Sequence, residues 1–140
     1  MLAEARGEGV LGMSMVGTVV ANRVDADCAP DFRSLREIKH AIYQTIPGTR
    51  VPHFEPVLNK TIDTQSPKKS DLDLARRLLH GHRESRARTS LWFFNPSPGS
   101  RWRVPCHGTM PRSPMTRFAF AHKNHCFYVG APGYCPEFYR

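Results

Sequence analysis

The chain has 140 residues and a formal net charge of +8, from 20 Lys and Arg against 12 Asp and Glu. This length fits one domain with a modest core and excludes a chain of two full domains. Hydrophobic residues make up 40% of the chain, which excludes a disordered basic tail. No apolar stretch reaches the roughly 18 residues of a membrane helix, because Gly12, Ser14, Gly17 and Thr18 interrupt residues 10–22.

The first half of the chain predicts helices. Apolar residues at helical spacing predict a buried helix over residues 10–24, in which Gly12 and Gly17 allow close backbone approach. A second helix is expected to begin at Ser34 as its cap and to end before Pro47.

The region after the second helix reads as a long connection followed by a well-marked helix. Prolines and Gly48 predict an irregular segment over residues 47–69, a candidate substrate-binding loop anchored by Phe54. Ser70 and Asp73 then predict a capping box, and Gly81 stands where that helix needs a left-handed residue.

The second half of the chain predicts strands. Residues 91–94, 117–121 and 126–129 are short, rich in aromatic residues and bounded by turn-forming residues. Because the helices precede the strands, the fold class is predicted to be α+β with a small antiparallel sheet.

The four cysteines leave their state open. Cys28, Cys106, Cys126 and Cys135 include no Cys-x-x-Cys pair, so both disulfides and buried free thiols fit the sequence. Cys106-His107 and His122-x-x-His125-Cys126 match no familiar zinc spacing, and core packing is the better interpretation of Cys126.

Two glutamates near the start are candidate catalytic acids. Glu4 and Glu8 stand four positions apart and would share one face of a helix. A glycosidase needs a carboxyl group whose pKa an apolar wall has raised, and Trp92, Phe93 and Phe94 could form such a wall. The plainer interpretation is a pair of solvated acids at the start of a helix.

A basic and aromatic segment suggests a different class of function. Arg83, Arg86 and Arg88 precede the aromatic run from Trp92, and Arg101-Trp102-Arg103 follows it. This interleaving is typical of single-stranded nucleic acid binders, yet aromatic faces also stack on sugar rings. A non-catalytic nucleic-acid-binding module is therefore the rival interpretation.

Several motifs in chain order resemble one known family. They are Ala3-Glu4-Ala5-Arg6-Gly7-Glu8-Gly9, the Asn22-Arg23-Val24 end of the first helix, Phe54-Glu55-Pro56-Val57, Ser90-Leu91-Trp92-Phe93-Phe94-Asn95-Pro96 and His125-Cys126-Phe127-Tyr128. Together they cover nearly the whole chain and resemble the SleB/CwlJ-type cell wall hydrolases, the spore cortex-lytic enzymes. The positions of Cys28, Cys126 and Cys135 resemble the short, single-domain CwlJ branch.

The resemblance implies a site and a reaction. It implies a lysozyme-like or lytic-transglycosylase-like fold in which Glu4 is the catalytic residue. Glu4 would act alone as general acid and base to give an anhydro sugar, whereas ordinary hydrolysis would use Glu8 as a second carboxylate. The side chains expected to bind the glycan are those of Glu8, Phe54, Trp92, Phe94, Asn95 and Tyr128.

The remaining expectations concern context. Residues 1–140 form one catalytic domain, and the short lead before Glu4 leaves open a shortened start or a fragment. We expect peptidoglycan glycan strands as substrate, with an accessory spore-coat protein as a candidate partner and neither nucleic acid nor a membrane span. The protein would act at the cell wall or the spore coat and cortex, although no clear signal peptide precedes it.

No metal or other cofactor is expected to be required for the chemical step. Proton transfer by a carboxyl group suffices for the reaction that the resemblance implies. Calcium stays open as an activating ion because Asp25, Asp27 and Asp31 are clustered, although they lack the spacing of a calcium loop.

Overall fold

A computed structural model describes residues 1–28, 30–96, 105–106, 108–111 and 113–140. Helices come first and an antiparallel sheet follows, which confirms the α+β prediction. The helices are α1 (Leu2–Ala5), α2 (Gly9–Ala26), α3 (Ile38–Ile42), α4 (Glu55–Leu58) and α5 (Lys69–Leu79). The strands are β1 (Trp92–Phe94), β2 (Thr116–His122) and β3 (His125–Gly130).

Helix α2 is the buried centre of the fold, as its apolar spacing predicts. Met15 and Val19 are fully buried on it. Gly17 permits the close approach of α5, because a Cβ added at Gly17 would lie 2.3 Å from Cδ1 of Leu78. The helix ends at Ala26, and the next residue, Asp27, has a left-handed backbone conformation.

The second predicted helix is shorter than expected, and Ser34 does not cap it. Helix α3 begins at Ile38 after Glu37. Ser34 has a positive φ of 72°, and its N–H donates to Oδ1 of Asp27 at 2.9 Å. Because Ser34 closes a turn onto the end of α2, the chain enters α3 only after that turn.

The connection over residues 47–69 is not wholly irregular. It contains α4 and a 3₁₀ turn at Thr61–Thr64, and Phe54 is buried as the predicted anchor. The capping box of α5 lies two residues earlier than predicted, since the backbone N–H of Lys68 donates to Oδ2 of Asp71 at 2.8 Å. Gly81 follows α5 with a φ of +91°, as expected.

The sheet has the order β1-β3-β2, so β3 is the central strand. Trp92 pairs with Tyr128, and Phe94 pairs with Cys126. Both faces of β3 are covered, because Phe127 packs among α2 and α5 residues while Cys126 and Tyr128 pack with Phe32 and Tyr134. This placement confirms that Cys126 belongs to the core.

Two disulfides close the fold. Cys28 is joined to Cys135 across 107 residues, and Cys106 is joined to Cys126 across 20 residues. Because the sulfurs of Cys106 and Cys126 are bonded to each other, neither is available as a zinc-binding thiolate. His107, the other residue of the proposed zinc pattern beside Cys106, lies outside the described residues.

Two polar side chains of α2 form hydrogen bonds with the segment that leads into β1. Nδ2 of Asn22 lies 2.9, 3.1 and 2.8 Å from the carbonyl oxygens of Ala87, Arg88 and Ser90, respectively. One turn earlier, the hydroxyl of Thr18 accepts the N–H of Glu84 at 2.8 Å. These contacts fix where β1 lies against α2, and hence where the aromatic side chains of β1 point.

We expect Asn22→Ala to destabilise the fold by about 1–3 kcal/mol, because it removes the donor from carbonyl groups that are buried or partly buried. Urea denaturation followed by circular dichroism measures the change. Asn59→Ala is the matched control, since the exposed Asn59 side chain contacts only Thr61 among the hydrogen bonds described. Equal midpoints for the two variants would show that Asn22 does not hold this segment.

Candidate active site

Glu4 lies between two cavities at the junction of α1, α2 and α4. The larger, of about 480 Å³, is polar as well as aromatic, and we call it the acid cavity. Its lining side chains are those of Ala3, Glu4, Arg23, His53, Phe54, Glu55, Pro56, Asn59, Thr61, Phe93, Phe94, Asn95, Met110 and His125. The smaller, of about 220 Å³, is mainly apolar and shares Ala3, Glu4, Phe54 and Pro56 with it.

The surroundings of Glu4 favour its protonated form. The side chain is half-buried, and this burial raises the pKa of the Glu4 carboxyl above its ordinary value of 4.5. The positive charges of the chain's amino terminus and of Arg23 oppose the rise in pKa, whereas the nearby carboxylate of Glu55 adds to it. A carboxyl group that holds its proton towards neutral pH can donate it to a leaving group.

Glu8 does not line either of these cavities. It is 5% exposed and lies beneath the β2–β3 turn. Its Oε1 is 3.4 Å from Nδ1 of His125, the N–H of Asn124 points to its Oε2 at 3.4 Å, and its carbonyl oxygen accepts from Nζ of Lys123 at 2.8 Å. Glu8 therefore contacts this turn and lies apart from the lining of both cavities, unlike the expected glycan-binding position.

The other side chains expected to bind the glycan divide between the cavity and the core. Phe54, Phe94 and Asn95 line the acid cavity together with Glu4. Trp92 and Tyr128 do not line it, since each is 2% exposed and they form a cross-strand pair in the core. The alternate face of β1 carries Phe93, whose ring stacks on that of Phe54 at 5.7 Å and closes one wall of the cavity.

Two histidines in the acid cavity are held towards the neutral form. Burial and, to a smaller extent, the positive charge of Arg23 together lower the pKa of His53 to about 4. Burial also lowers the pKa of His125, although Glu8 opposes the change. Neutral imidazoles can exchange hydrogen bonds with a polar ligand without adding charge beside Glu4.

Arg23, His53, Glu55 and His125 line the cavity but are not assigned to a substrate site by the sequence. Three of them stand inside motifs that are visible in the sequence, namely Asn22-Arg23-Val24, Phe54-Glu55-Pro56-Val57 and His125-Cys126-Phe127-Tyr128. A polar residue within an otherwise apolar motif is the sequence signal that could point to such a site residue. This signal does not show that the residues share one cavity until the fold is known, because α1, α2, α4 and β3 are far apart in the chain.

The aspartates considered for calcium each contact a different protein group. Oδ2 of Asp25 lies 2.8 Å from Arg83, and Oδ2 of Asp27 lies 3.2 Å from Arg36. Asp31 accepts the hydroxyl of Tyr134 at 2.5 Å. Within the described ranges, no three His, Cys, Asp or Glu side chains are grouped as metal ligands.

The basic and aromatic segment is largely engaged within the fold where it is described. Arg83 pairs with Asp25, and Arg86 lies over the ring of Phe120 at 4.9 Å from its centre. Trp92 is in the core. The second part of the segment, Arg101-Trp102-Arg103, lies outside the described residues.

Comparisons with known proteins place these features in context. A family described as Cell Wall Hydrolase matches residues 7–128. The chain is 38% identical over 141 residues to "Cell wall hydrolase CwlJ" of Oceanobacillus iheyensis, covering 100% of this chain and 88% of that protein. Proteins of the same name from Bacillus subtilis and Halalkalibacterium halodurans are 36% and 34% identical, each across 99% of this chain and 85% and 86% of the relative.

No solved structure matches the chain. Among the described residues, none of the helices combines the length and the apolar character that a membrane crossing requires.

Proposed function

The chain belongs to the cell wall hydrolase family and is an enzyme that acts on the cell wall, and we propose that it cleaves peptidoglycan glycan strands with Glu4 as catalytic residue. The observation that carries this proposal is the half-buried Glu4, whose pKa is raised in a cavity walled by aromatic rings. Glycosidic cleavage needs a carboxylic acid beside the leaving oxygen, and burial keeps such an acid protonated.

The proposed reaction uses one carboxyl group twice. Protonated Glu4 donates its proton to the glycosidic oxygen as the bond from that oxygen to C1 of the muramic acid breaks. The Glu4 carboxylate then accepts the proton of the muramic acid O6 hydroxyl as O6 bonds to C1. The product is a 1,6-anhydro ring, and Glu4 ends protonated as it began. Attack by a tethered hydroxyl has an effective concentration that a free water lacks.

The rest of the cavity suits a sugar chain. The rings of Phe54 and Phe94 supply apolar faces for sugar rings, and Asn95 adds a polar group beside them. The net charge of +8 attracts an anionic wall polymer, and salt should weaken this attraction. We propose that residues 1–140 act as one catalytic domain of lysozyme-like architecture.

Ordinary hydrolysis is the second candidate mechanism, and the position of Glu55 in the acid cavity favours it. Hydrolysis needs a second carboxylate to activate water or to form a glycosyl intermediate. Glu8 does not fill this role because it is buried under the β2–β3 turn, whereas Glu55 is exposed and lines the acid cavity with Glu4. A hydrolytic mechanism in this protein would therefore pair Glu4 with Glu55.

The family supports a location at the cell wall or in the spore. We propose that the enzyme acts on the spore cortex during germination or in wall remodelling, with an accessory spore-coat protein as a candidate partner. The two disulfides agree with a site outside the reducing cytosol.

Incubation with purified peptidoglycan tests the proposed function against a nucleic-acid-binding role. Loss of turbidity with release of soluble muropeptides is expected. A protein that retains single-stranded nucleic acid on a filter yet leaves peptidoglycan turbidity and soluble sugar unchanged would overturn the proposal. Fluorescence-labelled oligonucleotide and wall suspension are measured at the same ionic strength, because both interactions depend on salt.

Removal of divalent cations is expected to leave lysis of purified walls unchanged. Proton transfer by Glu4 requires no Lewis acid, and the sulfurs of Cys106 and Cys126 are bonded to each other. The protein is dialysed against a chelator, and its lysis rate is compared before and after addition of calcium. A rate that vanishes on dialysis and returns with calcium would show that an ion is required.

A further inference from the structure

Arg23 is a buried cation in the wall of the acid cavity. It is 3% exposed, and its Nε donates to the carbonyl oxygen of Leu91 at 2.8 Å. The guanidinium carbon lies 4.8 Å from the centre of the Phe54 ring and 5.5 Å from that of Phe32. Nη1 has no hydrogen-bond partner among the described residues.

The charge of Arg23 is not neutralised by a direct ion pair within the described part of the chain. Burial of a charge without a close counter-ion costs free energy, so packing alone does not explain an arginine at this position. Burial lowers the pKa of Arg23 to about 10, while Asp31, Tyr134 and Glu4 oppose this change in that order. Asp31 keeps its negative charge when it accepts the hydroxyl of Tyr134, but it does not line the acid cavity, whereas Glu4 lines it together with Arg23.

Among the described residues, the other side chains that line the acid cavity do not supply a positive charge during the reaction. Of the cavity side chains, His53 and His125 are held towards neutrality by burial, and Glu55 is acidic. The amino terminus of Met1, just before α1, is a second positive group near Glu4; burial lowers its pKa, and Glu4 opposes this change. Among the described side chains that line the acid cavity, Arg23 is thus the only permanent cation.

We propose that Arg23 is a positioning residue that balances the charge of Glu4, by stabilising the carboxylate that Glu4 becomes after it has donated its proton. This inference rests on the proposed role of Glu4. The proton moves from Glu4 to the glycosidic oxygen and returns from the O6 hydroxyl, so Glu4 carries a negative charge only between these steps. In a cavity of low effective dielectric, a fixed cation acts over a longer distance than it would in water.

The test compares Arg23→Gln, which removes the charge, with Arg23→Lys, which keeps it. The pKa of Glu4 is followed by NMR of chains with ¹³C-labelled glutamate carboxyls, and the Glu4 signal is assigned by its absence in Glu4→Gln. We expect Arg23→Gln to raise the pKa of Glu4, to move the alkaline limb of the lysis rate to higher pH and to lower the maximal rate at least about 10-fold. Arg23→Lys should return the limb towards its wild-type position.

A merely structural role for Arg23 gives a different pattern. Lost packing lowers the rate at every pH, whereas the limb and the pKa of Glu4 stay where they are. If Arg23→Gln does not fold, Arg23→citrulline keeps the shape and the Nε–H while removing the charge. It is made by joining a synthetic peptide of residues 1–27 to a chain that begins at Cys28, and the same peptide carries the labelled Glu4.

The outcomes separate this inference from the proposed function. Full lysis by Glu4→Gln would overturn the role of Glu4, and with it the charge-balancing role of Arg23. An inactive Glu4→Gln together with an unchanged pKa of Glu4 in a folded Arg23→Gln or Arg23→citrulline protein would overturn the inference alone. So would an Arg23→Lys profile that coincides with that of Arg23→Gln.

Discussion

Replacement of Glu4 by glutamine is expected to lower the rate of wall lysis by about 10²–10⁴-fold, the usual contribution of a general acid. The amide keeps the size of the side chain but can neither donate the proton nor take it back. Since Glu4 is only half-buried and has a raised pKa, a neutral side chain should be tolerated and the fold retained. The rate is measured as turbidity loss of purified walls, with circular dichroism as the check on folding.

Two other glutamates provide controls for this result. Glu137→Gln removes an exposed carboxylate that pairs with Arg140 at 2.9 Å, and it should leave lysis unchanged. Glu55→Gln removes the other carboxylate of the acid cavity. A modest effect of Glu55→Gln fits a mechanism in which Glu4 acts alone, whereas a loss as large as that of Glu4→Gln fits hydrolysis by the pair. Near wild-type lysis by Glu4→Gln would remove Glu4 from the mechanism.

Loss of the Cys28–Cys135 disulfide is expected to destabilise the protein by about 2–5 kcal/mol. This bridge joins the chain just after α2 to the C-terminal segment, 107 residues away, beside a core cluster that includes Phe32 and Trp92. In the chain-entropy description, a bridge that closes about 100 residues restricts the unfolded chain by about 4.7 kcal/mol, against about 3 kcal/mol for about 15 residues.

The measurement is the free energy of unfolding in urea of the double variant Cys28→Ala/Cys135→Ala. The matched control is Cys106→Ala/Cys126→Ala, which opens the bridge that spans 20 residues and should cost less through the unfolded state. If both double variants unfold at the wild-type urea concentration, the bridges do not contribute to stability in this way.

The parts of the fold that the sequence predicts well are those with a clear periodicity. Helix α2 follows its apolar spacing, and the three strands follow their short aromatic runs. The predicted start of α3 is wrong, because the hydrogen bond from the Ser34 N–H to Asp27 outweighs the preference of Ser34 for the cap of a helix. The capping box of α5 lies two residues before its predicted position, because Asp71 accepts the N–H of Lys68. Asp73 instead pairs with Arg76 at 2.9 Å.

The residues that line the candidate site are harder to predict from the sequence than the helices and strands. Alternation predicts that Trp92 and Phe93 face opposite ways, but all three residues of β1 are aromatic and both Phe93 and Phe94 line the cavity, so the sequence does not say which of the three meet it. That choice depends on the contacts of Asn22 with residues 87–90 and on the pairing of Trp92 with Tyr128. The resemblance singles out Glu4 as a candidate, whereas the placement of Glu55 and Arg23 in the same cavity depends on the packing of α4 and α2.

Mass spectrometry of unreduced muropeptides, from purified peptidoglycan digested by the wild-type protein, tests whether Glu4 acts alone. Intramolecular attack by O6 gives anhydro-muramic ends, which are about 18 Da lighter than hydrolysed ends because no water is added. Digestion in ¹⁸O-labelled water gives the same distinction, since only hydrolysis incorporates the label. We expect anhydro ends without ¹⁸O. A digest with only reducing, ¹⁸O-labelled ends would contradict the single-carboxyl mechanism and point to hydrolysis by Glu4 and Glu55.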